Sequence, residues 1–235
     1  LAQKKISRAQ LQPLLGLFAL GGLQGFMGWY MVASGLTERV DVSQYRLAMH
    51  LGLALIIFAA ALWLALNYWR GTDSEARGQG RFAPRSKWAA VIVAAVLAQS
   101  LIGALVAGIN AGKTYTDWPL MDGDFIPSGL FDMQPFWLNF FENHLTVQFD
   151  HRMIAYALAA LIGWHIYRGL QSGIGGAAQL SAKWLGWALA LQIVLGISAL
   201  MLAVPIWLGA AHQLGAVALL AIAVTHLHIL YKQAV

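Results

Sequence analysis

The chain has 235 residues, 59% of them hydrophobic and 11% charged, with a mean hydropathy of +0.63. A soluble domain carries about 25% charge, so this composition excludes a globule wetted on every side. The net charge of +5 is spread between apolar runs rather than gathered in one stripe, which argues against nucleic-acid binding, and the absence of cysteine excludes disulfides and thiolate metal sites.

Lys4, Lys5 and Arg8 precede Pro13 in a stretch that reads as a loop entering a helix and lacks a signal-peptide cleavage site. Six apolar runs follow, at about residues 14–34, 45–69, 88–111, 147–170, 184–204 and 208–231. Each approaches the roughly 20 residues a helix needs to cross a bilayer core. The expected fold is all-α, a polytopic transmembrane helical bundle. Lys4, Lys5, Arg8, Arg70, Arg77, Arg81, Arg85, Lys87, Arg168, Lys183 and Lys232 fall on one side of it. Arg39, Arg46, Lys113 and Arg152 lie at or near the other. By the positive-inside rule both chain ends are cytoplasmic and residues 113–145 form an outer loop. That loop sets Asp117, Asp122, Asp124, Asp132 and Glu142 against one lysine, and its prolines and glycines predict a folded loop built of turns that caps the site from outside.

A repeat runs through the spans. The odd spans carry Gln-x-x-x-Gly, at Gln24 and Gly28, Gln99 and Gly103, and Gln192 and Gly196. The even spans carry His50, His151 and His212 near their outer ends. The unit is thus a Gln/Gly helix followed by a His helix. Histidine inside a membrane is costly and functional by default. With carboxylates nearly absent from the spans, axial ligation of haem between facing helices suits these residues best. Three units leave one histidine without a mate, which predicts a further helix pair before Leu1. Arg46 shares a helical face with His50, and Arg152 follows His151; both are candidates for binding haem propionates. The Gln-x-x-x-Gly helices are expected to let backbones approach a flat macrocycle. His144 is expected in the loop, and His165, His226 and His228 in packing or interfacial roles near the inner ends.

These residues carry a resemblance. GGLQGFMGWYMVASG at 21–35, SQYRLAMHLG at 43–52, AGINAG at 107–112, WPLMDG at 118–123, FIP at 125–127, FEN at 141–143, TVQFDHR at 146–152 and HQLG at 212–215 resemble the haem A synthases of mitochondrial and alphaproteobacterial type. The resemblance implies eight helices in two related four-helix halves, of which this chain has six. Residues 1–112 would hold the remainder of the N-terminal, substrate half. The C-terminal half would cover about 88–235, with 146–235 following the loop. It implies a haem b cofactor on the iron ligands His151 and His212, with Arg152 beside it. It implies substrate haem O on His50, with Arg46 beside it. The family's catalytic glutamate belongs to the helix pair missing here, so no catalytic residue is assigned. The implied reaction oxidises a ring methyl of haem O to the formyl of haem A for the terminal oxidase. The implied setting is a bacterial inner membrane, with lipid, a haem O synthase and an electron-transfer partner as neighbours. The glycine-rich spans permit a homo-oligomer. Two other readings use the same histidines: a b-type cytochrome that only transfers electrons, and a haem-free transporter or scaffold.

Overall fold

A computed structural model describes residues 8–33, 42–69 and 84–233. Lys4, Lys5, Arg39, Arg70, Arg77 and Arg81, used in the charge pattern above, lie outside those residues. The described residues form the long helices α1 (Arg8–Ala33), α2 (Gln44–Trp69) and α3 (Pro84–Gly108), then a one-turn helix α4 (Asn139–Glu142). The long helices α5 (His144–Gln171), α6 (Gly176–Met201) and α7 (Ile206–Gln233) complete the chain. All six long helices have a length and apolarity sufficient to cross a membrane, and the chain is a multi-pass membrane protein.

Local chemistry sets the ends. Pro84 opens α3, where a missing N–H costs nothing. Asn143 caps α5, its side chain accepting from the N–H groups of Leu145 and Thr146. Ala203 and Val204 turn left-handed (φ 56° and 55°) before Pro205, breaking α6 from α7. The fifth span begins at Gly176, eight residues before the expected 184. Hydropathy undervalues Ala178, Ser181 and Ala182, which lie on one helical face with Leu185 and are buried against neighbouring helices.

Helices α3, α5, α6 and α7 make a four-helix bundle. Both α5 and α7 pack between α3 and α6, so the two stand as a diagonal pair. Helix α2 packs on α3 and α7, and α1 packs on α2. The bundle is tightest in the half away from the long loop, where Leu55, Ile92, Val96, Leu158, Ile162, Leu185, Leu220 and Val224 join in one apolar core.

The segment between α3 and α5 is folded, as its turn residues predict. Met121 and Asp124 exchange backbone hydrogen bonds across a turn at Asp122 and Gly123, both at positive φ (55° and 83°). Met121, Leu130 and Leu145 form a small core beneath it, and buried Asn139 ties the loop to itself through Met133 and Phe136.

Candidate functional site

The repeat seen in the sequence is a repeat in space. His50, His151 and His212 lie six, seven and six residues inside the starts of α2, α5 and α7. At 1.5 Å per residue this is about 9–10 Å below each helix end. Gly28, Gly103 and Gly196 each lie five residues before the ends of α1, α3 and α6. All six positions share one level at the loop side of the bundle.

Each glycine meets the histidine of the following helix. A Cβ on Gly28 would lie 3.2 Å from Cε1 of His50, one on Gly103 would lie 3.1 Å from Cε1 of His151, and one on Gly196 would lie 2.9 Å from Cε1 of His212. Four residues earlier, one turn along the same face, the glutamine grips the same residue. Gln24 Nε2 donates to the His50 carbonyl at 3.2 Å, Gln99 Nε2 to the His151 carbonyl at 2.9 Å, and Gln192 Nε2 to the His212 carbonyl at 3.0 Å. The same amide nitrogens lie beside the rings, 3.2 Å from Nδ1 of His50 and 3.1 Å from Nδ1 of His151. This differs from the expectation that the glycines would line a macrocycle. They admit the imidazole edge, because Cε1 fits only where no Cβ stands. The spacing of four that puts glutamine and glycine on one helical face is the signal in the sequence for this clasp.

His151 and His212 stand on α5 and α7, the diagonal helices of the bundle, at matching depth. Nδ1 of His212 is buried without a hydrogen-bond partner. Two imidazoles at one depth, on opposed helices with apolar neighbours, suit the axial positions of a haem iron, and the residues present fit that group. His50 has the same clasp on α2, at the other edge of the bundle. Among the described residues no group of three or more His, Cys, Asp or Glu side chains could hold a metal ion.

The two arginines differ. Arg46 packs its guanidinium over the Tyr30 ring, 5.0 Å from the centroid. Buried Arg152 spends its fork on the loop: Nη1 donates to the carbonyls of Asp117 (3.0 Å) and Leu120 (2.9 Å), and Nη2 to Tyr115 (3.0 Å). Only its Nε is buried and unpaired. The guanidinium of Arg152 thus anchors the loop through Nη1 and Nη2, and its Nε is the donor left over. Gln148 Nε2 joins it on the Tyr115 carbonyl, and Trp118 Nε1 donates to the Tyr156 hydroxyl, so α5 is the floor of the loop. Asp117 stands above. Burial pushes its carboxyl up, but the backbone N–H groups of Gly123, Asp122 and Asp117 itself, with the Arg152 charge, hold it below its ordinary value.

His144 begins α5 rather than lying in the loop, its Nδ1 3.2 Å from the Thr114 hydroxyl. His165 and His226 are buried with their Nε2 atoms 3.0 Å apart, and Ser181 Oγ lies 2.7 Å from Nδ1 of His226. His228 Nε2 lies 3.0 Å from Oδ1 of Asn67. These three tie helices together in the half opposite the clasped histidines, the packing role expected of them.

The chain matches the COX15-CtaA family, described as cytochrome oxidase assembly protein, over residues 1–224. It is 49% identical to a heme A synthase of Parvibaculum lavamentivorans over 97% of this chain and 64% of that one. It is 50% identical to a heme A synthase of Rhodopseudomonas palustris over 91% of this chain and 57% of that one. It is 46% identical to a heme A synthase of Sinorhizobium medicae over 94% of this chain and 59% of that one. The chain thus spans about three fifths of the length of the curated relatives it matches. Identity on this scale, together with three clasped histidines in one membrane bundle, establishes that the chain belongs to the haem A synthase family of cytochrome oxidase assembly proteins.

Proposed function

We propose that this chain forms most of a haem A synthase, which oxidises a ring methyl of haem O to the formyl group of haem A. The observation that carries the reading is the diagonal pair His151 and His212, matched in depth across the bundle of α3, α5, α6 and α7. Residues 88–235 are assigned as the cofactor half, holding haem b on those two imidazoles. That group, when bound, supplies a one-electron redox centre beside the substrate. His50 is assigned to the iron of substrate haem O, in the part of the substrate half that residues 1–112 contribute.

The protein's own share is position, charge and exclusion of water. The imidazole edges are seated by glycine. Arg46 offers a cation near the substrate site, and Arg152 offers its Nε to a propionate while its other donors hold the loop down. The folded loop, assigned to the outer face of a bacterial inner membrane, covers that end of the bundle and keeps bulk water off the half-buried imidazoles. Haem O synthase and a membrane electron carrier are the partners this chemistry requires.

The test is expression of the chain joined to the further helix pair expected before Leu1, in cells that make haem O but no haem A, followed by extraction and chromatography of the haems. Haem A should accumulate, and His50→Ala should abolish it while the b-type haem stays. Haem O persisting unchanged beside a bound b-type haem would overturn the enzymatic reading in favour of an electron-transferring cytochrome.

A further inference from the structure

The three glutamines are the least expected residues at this level. Each places a polar amide in a bilayer-spanning helix, and each leaves its Oε1 buried with no partner. An unpaired buried amide oxygen is costly, and leucine or methionine would fill the same space without that cost. The cost recurs at Gln24, Gln99 and Gln192; Gln148 Oε1 is also unpaired, but its amide holds the loop at the Tyr115 carbonyl. In the three repeat glutamines the amide's other end holds a histidine. We propose that Gln99 and Gln192 are positioning residues for the cofactor haem, and Gln24 their counterpart at the substrate haem, each fixing the depth and ring rotation of its histidine. The proposal rests on the haem reading above.

The geometry gives two constraints per histidine from a single helix face. The amide N–H takes the histidine carbonyl, at 2.9 Å for Gln99 and 3.0 Å for Gln192, which sets how far α5 and α7 can slide along their neighbours. The glycine one turn later accepts Cε1, so rotation of the imidazole plane meets backbone on one side and the amide on the other. Gly215 in turn leaves room for Oε1 of Gln192, where a Cβ would collide. Because α3 sets His151 and α6 sets His212, the two ligand planes are oriented independently. Groups that orient axial ligands tune both affinity and electronics of the iron.

The test uses the protein purified from membranes with its haem. Gln99→Met and Gln192→Met keep side-chain length and remove the donor. Each should speed haem loss to excess apomyoglobin by roughly 10–100-fold and shift both the midpoint potential and the low-spin ferric EPR signal. Gln24→Met should leave those cofactor signals where they are. Leu158→Ala, in the apolar core of the opposite half, should lower the melting temperature without moving the potential. Glutamine variants that behave like Leu158→Ala, or like the parent, overturn the positioning role alone. A parent without haem overturns the haem reading and this inference with it.

Discussion

Replacing Gly103 by alanine tests the seat of His151 with a single methyl group. The new Cβ would stand 3.1 Å from Cε1 and 3.7 Å from Nδ1 of His151. Carbon atoms in ordinary contact sit about 3.5–4.0 Å apart, so the ring must retreat by roughly half an ångström. Its main chain cannot follow, because Gln99 holds the carbonyl. Forced overpacking of this kind costs about 1–3 kcal/mol. At about 1.4 kcal/mol per tenfold, that is roughly 5- to 150-fold weaker retention of haem. The assay is haem content after purification and the rate of haem transfer to excess apomyoglobin. Gly196→Ala, with its Cβ at 2.9 Å from His212, should do worse than Gly103→Ala. Gly163→Ala, which meets nothing within 4 Å, should lose no haem and gain up to about 1 kcal/mol of helix stability. Parent-like haem retention in Gly103→Ala would refute the argument that glycine seats the imidazole.

Three further outcomes follow from the same geometry. Arg152→Met should leave the carbonyls of Asp117 and Leu120 without their donor and that of Tyr115 with Gln148 alone, destabilise the loop by about 2–4 kcal/mol, and open residues 115–124 to protease. Because the Asp117 carboxyl titrates lower folded than unfolded, its contribution is complete above the ordinary carboxylate range and is lost as pH falls through the depressed folded value; protease protection of the loop should decline on acidification, and Asp117→Asn should flatten that dependence. His226→Ala should leave His165 without its ring partner, while Ser181 keeps the Ala178 carbonyl, and lower stability by about 1–3 kcal/mol in thermal melts, with the haem spectrum unchanged.

The spans, the shared depth of His50, His151 and His212, and the turns of the loop were legible because each is written in a local pattern: long apolar runs, spacing from a helix end, proline and glycine. The grip of Gln99 on His151 was half legible. Its spacing of four from Gly103 was plain, but which partner that face meets depends on how α3 and α5 cross, and that is a tertiary property. The loop contacts of Arg152 were hidden for the same reason. Arginine beside a ligand histidine suggests an anion, yet the loop folds back so that three carbonyls reach the guanidinium first. The early start of α6 was hidden because Ala178, Ser181 and Ala182 carry little hydropathy and are buried by close helix contact.

The most direct test of the central claim is a reduced-minus-oxidised spectrum of the purified protein beside His151→Ala and His212→Ala. A b-type haem in the parent that either substitution removes is the predicted result, since the proposed site needs both imidazoles to hold the iron. No haem in the parent, or a haem that survives both substitutions, would contradict ligation across the α5–α7 diagonal.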